Sequence, residues 1–510
     1  MRLIPSASEE ALSSEHLTRD LGRRTASGGV IAIGTQVLVL LMQLGYMAMM
    51  ARLLQPEDFG LVAMAASVTA FVGVFADMGL SMATIQRKEL DHDTVSALFF
   101  LNLAAGFVLM LVTWLMAPLA AWTFNDRRLL DLVLVLALAI PITAAGAQHK
   151  ALLTRNMQWP SLHGVSLGSL LCGFAVGIAM AWVWDFGYWS LAAATLTTAS
   201  VGTVGQWMLS PWRPSRVGNW KGSRSAINFG VNLSAFNAIN YFHRQADNIL
   251  IGYYLGSAQL GFYTRAYSIF TLPISLVNGP LATAFIPALS RLQTESSQWR
   301  KAFLDMLALV TIIGSAIAAS LFVLAAPLVT LLLGPSWAAS AKILNYLSLS
   351  IFVSTPLSAM GWIYISLEQT NRMFAWSIFA TAMILAAFAI GLSDGASGVA
   401  LAYSVVIYVL ALPSFWYASR KAPVSMGDIS KTVFPIVGAG IVSTTVLWLP
   451  PYWSSSRVSE SPVDAIGFVL VKFPMVAGLY CVLVGLACVI SPRNRGLVLR
   501  VIPFLSRNRG

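Results

Sequence analysis

Between about residue 30 and residue 490 the chain alternates long apolar runs with short polar breaks. A membrane-crossing helix needs about 20 predominantly apolar residues, and by that measure the pattern predicts fourteen spans. Several breaks carry Gly or Pro (Pro56, Pro214, Gly256, Pro335, Gly395), and none leaves room for a soluble domain. The expected fold is an all-α integral membrane protein.

One stretch departs from this background. Residues 237–265 read NAINYFHRQADNILIGYYLGSAQLGFYTR. Asn237, Asn240, Arg244, Asp247 and Asn248 recur there at helical spacing and draw one polar stripe along the seventh span. Gln36 and Gln43 draw a thinner stripe on the first span, and Arg265 lies one turn into the eighth. A charge inside hydrocarbon costs about 3 kcal/mol or more, so it normally faces an internal cavity. These eight residues are therefore candidate cavity-lining groups, cationic mainly through Arg244 and Arg265. Guanidinium stays charged at any depth and grips phosphate through paired hydrogen bonds, which suits an anionic headgroup. The plainer alternative is that Arg244 and Asp247, at i and i+3, simply neutralise each other.

Asp77 lies deep in the second span with no charged residue within one helical turn. Burial would raise its pKa, which makes it a candidate coupling group for a proton; a hydrogen bond or ion pair to another helix is the alternative. Pro273, Pro280 and Pro287 sit seven apart in the eighth span and would bend it, as a gate or as a static kink. Lys472 is expected to snorkel to the membrane surface, with a lipid phosphate as the other partner to consider.

The chain also echoes itself. At an offset of 201 residues Leu54 falls on Leu255, Phe59 on Leu260, Gly60 on Gly261 and Ser67 on Ser268. The scarce polar positions coincide too: Gln36 with Asn237, Gln43 with Arg244, and Asp77 with Asn278. Such an offset spans six helices and preserves orientation, as in the parallel repeats of some secondary transporters. The expected organisation is an N-terminal segment (1–27), a six-helix lobe (28–211), a linker (212–225), a second six-helix lobe (226–420), two last helices (421–491) and a basic tail (492–510).

Composition agrees with the pattern: 57% of the 510 residues are hydrophobic and 10% charged, where soluble domains carry about 25% charged residues. The net charge of +11 invites a nucleic-acid partner, but no basic soluble domain exists to hold one. The charge is explained by membrane orientation instead. With spans alternating from an inside N-terminus, only Arg52, Arg127, Arg128, Lys342 and Arg457 fall outside, and Arg244, Arg265 and Lys472 fall within spans. The other 24 of the 32 Lys and Arg residues are inside, which places both termini in the cytoplasm. Arg23 and Arg24 form a twin-arginine pair, but the apolar run after them is long enough to span, so an uncleaved first helix is expected.

Cys172, Cys481 and Cys488 lie in apolar runs without metal or disulfide spacing and are expected to be small buried hydrophobes. His149 and His243 are expected in a loop or a core. No metal site, cofactor or catalytic residue is expected, and no nucleophile-elbow, zincin or phosphate-loop motif occurs.

Three stretches resemble a known family: RLLQPEDFGLVAMA after the first span, ADMGLSMATIQRKEL closing the second, and DNILIGYYLGSAQLGFYTRAYSIFTLPISLVNGPLATAFIPALSRLQ. They resemble the Wzx-type flippases of lipid-linked oligosaccharides, in the branch of the colanic-acid and succinoglycan exporters. That superfamily also holds multidrug extruders and the peptidoglycan-precursor flippase. The resemblance covers about residues 28–420 and implies two six-helix lobes around a cationic cavity. It implies transport, by alternating access, of undecaprenyl-pyrophosphate-linked oligosaccharide across the bacterial inner membrane, for exopolysaccharide, capsule or O-antigen synthesis. The implied partners are that lipid-linked oligosaccharide, membrane lipid, a polysaccharide polymerase and a chain-length regulator, with no nucleic acid. Arg265 and Arg244 are the counterparts of the family's headgroup arginines; the first two spans hold no arginine in their interior. The competing readings are a multidrug extruder of the same superfamily and a membrane polysaccharide polymerase or ligase.

Overall fold

The computed structural model describes residues 21–73, 81, 84–85, 90–215, 223–448 and 462–490. Within them the side chains of 21–27, 30, 33, 223–244, 462–464 and 486–490 are not described. No strand occurs among the described residues. Seven helices precede residue 210: α1 (Leu21–Leu53), α2 (Pro56–Gly73), α3 (His92–Thr123), α4 (Arg128–Ala137), α5 (Ala139–Arg155), α6 (Trp159–Val183) and α7 (Tyr188–Leu209). Then come α8 (Ser223–Arg291), α9 (Ser296–Leu332), α10 (Ala338–Ser366), α11 (Thr370–Gly391), α12 (Gly395–Ser419), α13 (Met426–Trp448) and α14 (Pro462–Ile490).

Each predicted span overlaps helix, and ten stretches among the described residues are long and apolar enough to cross a membrane. Two of these stretches, Gln245–Arg291 and Thr370–Ser419, run through a glycine with positive φ. Gly256 (φ 82°, ψ 178°) breaks α8 where the sequence separates its seventh and eighth spans, and Gly395 (φ 71°) separates α11 from α12. Only glycine adopts the Gly256 conformation without strain.

By packing the chain divides into two units, Met1–Gly261 and Phe262–Gly510. The division falls at Gly261, so residues 226–261, which the sequence pattern groups with the second lobe, are counted with the first unit.

In the first unit α3 shows how the bilayer inverts the usual helix. From Asn102 onward its inward positions, Met110 apart, are small or polar (Asn102, Gly106, Thr113, Ala117, Ala120), whereas Phe107, Val108, Leu111, Leu115 and Leu119 face outward. Large apolar side chains gain nothing by leaving lipid for protein, so small residues that let backbones approach take the interface. Gly106 lies against Pro141 and Ala144 of α5 for this reason, and Gly173 and Gly177, four apart on α6, lie against Ala194 of α7. Tyr46 of α1 stacks on Phe174 of α6 at 4.0 Å between ring centroids.

The start of α2 makes the tightest approach. A Cβ at Gly60 would overlap the carbonyl oxygen of Ser257, and one at Gly261 would overlap the carbonyl oxygen of Pro56. The contact is reciprocal under the 201-residue offset, since Pro56 and Gly60 correspond to Ser257 and Gly261.

Beside it, Asp58 accepts from the backbone N–H of Gln55 at 2.9 Å and of Tyr188 at 3.0 Å. Arg128 bridges Asp126 (2.7 Å) and Glu57 (2.6 Å). Its hydrogen bonds hold the Asp126 carboxyl below the usual carboxylate range. A lowered folded pKa means that the stabilisation is complete above the unfolded value near 3.9 and is lost as pH falls through the lower folded value. The melting temperature of wild type should therefore exceed that of Asp126→Asn by a constant margin from pH 8 to 5. The margin should shrink below about pH 4; a margin independent of pH would show that the carboxylate charge does not matter.

In the second unit α9 is the hub, packing on α10, α13 and α14. Gly314 of α9 admits Thr355 of α10, and Gly440 of α13 admits Phe352. Tyr480 of α14 donates to the carbonyl of Ile312 at 2.7 Å. Helix α13 begins with a reciprocal cap: Ser425 Oγ accepts from the Asp428 N–H, and Asp428 Oδ2 accepts from the Ser425 N–H, both at 3.1 Å. Asp428 also pairs with Arg300 at 2.6 Å. Asp428→Ala should cost about 1 kcal/mol through the cap. The Arg300 partner is 46% exposed, so its pairing adds little. A thermal melt of the variant in detergent, set beside Arg300→Ala, separates the two contributions: equal losses would assign the effect to the ion pair.

Two expectations are corrected. Lys472 does not snorkel: it is 3% exposed, with its ammonium 4.2 Å from the centroid of Phe468. The face of the Phe468 ring takes part of the place of water. Cys172 and Cys481 are exposed rather than buried. On a spanning helix the outward face meets hydrocarbon, so an apolar thiol needs no protein cover.

Candidate functional site

Of the stripe on α8, the structure describes the side chains of Asp247 and Asn248; those of Asn237, Asn240 and Arg244 lie outside the described residues, as does Asp77. Asp247 is 6% exposed. Its Oδ1 accepts from the Asn248 N–H at 2.8 Å, and Asn248 Nδ2 donates to Gln245 Oε1 at 2.6 Å. This is a local polar knot on one helix face. Gln36 and Gln43 are both exposed on α1, seven residues apart. Arg265 is half-buried within the second segment of α8, in the second unit. Ser268, on its face, donates to the Thr264 carbonyl at 2.7 Å. Pro273 is half-buried, Pro280 and Pro287 are exposed, and α8 runs through all three.

The first unit also contains a cavity that the sequence did not reveal. It measures about 540 Å3 and is walled by α5, α6 and α7, with Gly73, Ser81 and Ile85 on another side. Lys150 is the one charged side chain among its lining residues, accompanied by Thr143, Ser169, Thr198, Thr203 and Gln206. From α5 it takes Thr143, Ala147, Lys150 and Thr154, spaced four, three and four apart on one face. That stripe is the signal the sequence offered. It was hidden because Lys150 reads as an ordinary cytoplasmic-end lysine and threonine is unremarkable in a membrane helix.

Next to the cavity, Thr84 and Ile85 of the second span are tied to α5. Thr84 donates to Gln148 Oε1 at 2.7 Å, and Arg155 Nη1 donates to the Thr84 and Ile85 carbonyls at 3.3 Å. On the other side of α5, His149 is a core histidine: it is fully buried, with ring centroids 4.4 Å from Trp207 and 5.1 Å from Trp212. Among the described residues no group of three or more His, Cys, Asp or Glu could hold a metal ion. Chemically the described groups at the cavity and its tie to the second span are one ammonium, one guanidinium, hydroxyls and amides. They can bind anions and polar neutral groups.

Comparison with known proteins places these features in context. Residues 49–342 match a family model described as polysaccharide biosynthesis protein. The chain is 24% identical over 454 residues to the lipopolysaccharide biosynthesis protein WzxC of Escherichia coli, covering 88% of this chain and 89% of that one. It is 24% identical over 372 residues to the succinoglycan biosynthesis transport protein ExoT of Rhizobium meliloti, covering 73% and 75%. In fold it is similar to a solved structure of the lipid II flippase MurJ, with a TM-score of 0.70 at 13% identity over 90% of this chain and 98% of that one.

Proposed function

The chain belongs to the polysaccharide biosynthesis protein family, and from that membership we propose that it is a transporter of undecaprenyl-pyrophosphate-linked oligosaccharide across the bacterial inner membrane. It serves exopolysaccharide, capsule or O-antigen synthesis, with both termini cytoplasmic. The observation that carries the reading is Arg265, a guanidinium held half-buried in a membrane-length helix of a flippase-like fold. A guanidinium stays charged at any depth and suits a phosphate through paired hydrogen bonds. The relative named a succinoglycan transport protein supports the same reading.

The headgroup would cross by alternating access, in a polar path to which Arg244, Arg265, Asn237, Asn240, Asp247, Asn248, Gln36 and Gln43 contribute. The lipid tail stays in the bilayer, because moving sugars and phosphates bare through hydrocarbon is prohibitive. Asp77 is the candidate for proton coupling. A polymerase and a chain-length regulator would receive the delivered units.

The multidrug alternative needs a pocket that attracts cations, whereas the one charge among the described lining residues of the cavity is Lys150. The test is leaflet accessibility of the lipid-linked oligosaccharide in cells lacking the protein. Accumulation on the cytoplasmic face, relieved by the wild-type chain, supports transport. Normal periplasmic delivery with no redundant exporter overturns it, and altered drug resistance in an overexpressing strain would then favour the extruder.

A further inference from the structure

The cavity in the first unit has a wall chemistry more specific than its composition. Five of its hydroxyls have already committed their protons, Thr154 to Lys150 O at 2.8 Å among them. Thr143 donates to Ala139 O at 2.8 Å, Ser169 to Ser166 O at 3.0 Å, Thr198 to Ala194 O at 2.8 Å and Thr203 to Ile142 O at 2.8 Å. A hydroxyl has one proton and two lone pairs, so each of these oxygens can only accept from a ligand. Gln206 supplies an amide that can accept or donate. Among the described lining residues the single full charge is Lys150, which is exposed and makes no ion pair among the described residues.

A ligand that complements this wall must offer several neutral donors and one anionic group. A cation would be repelled by Lys150 and would find no carboxylate among the described lining residues. A lipid tail would leave the hydroxyl oxygens and the ammonium without partners. A sugar joined to a phosphate meets both requirements, because its hydroxyls donate and its phosphate pairs with an ammonium. The volume of about 540 Å3 lies in the range of small-ligand sites, roughly 300–1,000 Å3.

We propose that this cavity is a glycosyl-phosphate subsite: the threonine and serine oxygens accept from hydroxyls of the sugar nearest the lipid, and Lys150 pairs with the phosphate attached to it. The inference rests on the transport reading above and adds where, within one unit, the sugar itself is read.

The test uses the full chain in lipid nanodiscs and two probes, undecaprenyl pyrophosphate bare and carrying one glucose. Wild type should bind the glycosylated lipid about tenfold more tightly, a step of about 1.4 kcal/mol. Thr198→Val with Thr203→Val should erase that preference while keeping affinity for the bare lipid, and Lys150→Gln should weaken both probes. Because Thr203 also ties α7 to α5, Ala147→Phe serves as the second variant: it fills the cavity, leaves every hydroxyl in place, and should erase the preference equally. If wild type prefers the sugar and the cavity variants still do, the subsite is overturned and the transport reading stands. If wild type binds the two probes equally, the sugar is not read and the subsite is again overturned. If wild type binds neither lipid, both fall.

Discussion

Gly60→Ala should lower the yield of folded protein and its melting temperature, and Gly60→Leu should abolish export altogether. The added Cβ would overlap the carbonyl oxygen of Ser257. That atom is backbone, so no rotamer change can clear it and the start of α2 must move off α8. Overpacking of a tight contact costs about 1–3 kcal/mol and sometimes more, and the absence of a flexible neighbour puts this site at the upper end. Gly261→Ala should do the same through Pro56. Since both substitutions break one contact, the double variant should cost less than the two single costs added together. Gly45→Ala on α1 is the control, because a Cβ there meets nothing within 4 Å. Gly256→Ala also meets no neighbour, but its φ of 82° imposes a purely conformational cost of about 1–3 kcal/mol. Thermal melts of the purified variants check all of these, and a wild-type melt for Gly60→Ala would refute the close approach.

Arg265→Ala should leave the amount and melting temperature of the protein unchanged, or raise the latter, while cutting polymer export by at least about tenfold. The first half follows because alanine is far cheaper than arginine inside a membrane. The second follows if the guanidinium holds the pyrophosphate. Arg265→Lys should retain part of the export, since an ammonium keeps the charge but loses the two-pronged geometry. A structural arginine would behave otherwise: alanine would destabilise, and transport would fall only as protein is lost. Arg244→Ala should match Arg265→Ala, and the double variant should leave the lipid-linked oligosaccharide on the cytoplasmic face. Normal export by both single variants at normal expression would remove the headgroup site.

The helical membrane architecture was legible because an apolar run of twenty residues has few other fates, and helix overlaps each expected run among the described residues, ten stretches of which are long and apolar enough to span. The break at Gly256 was legible too, since Leu-Gly-Ser interrupts an otherwise continuous run. Facing was not. In lipid both sides of a helix are apolar, so periodicity carries little information about which side meets protein. That is why Lys472 reads as a snorkelling residue and is in fact packed against Phe468, and why Cys172 and Cys481 read as buried and face outward.

The amino-acid order alone established the membrane class, the helical runs and a candidate cationic stripe, because these depend on local composition and on spacing along one helix. Folding decided the rest. The reciprocal contact of Gly60 with Ser257 and Gly261 with Pro56 joins positions about two hundred residues apart. The cavity gathers Lys150 from α5, Ser169 from α6 and Thr198 from α7. A neutral hydroxyl on one helix carries no mark of which hydroxyls on other helices will stand beside it. Only the packing of small residues, which sets how closely the helices approach, brings them to a common wall.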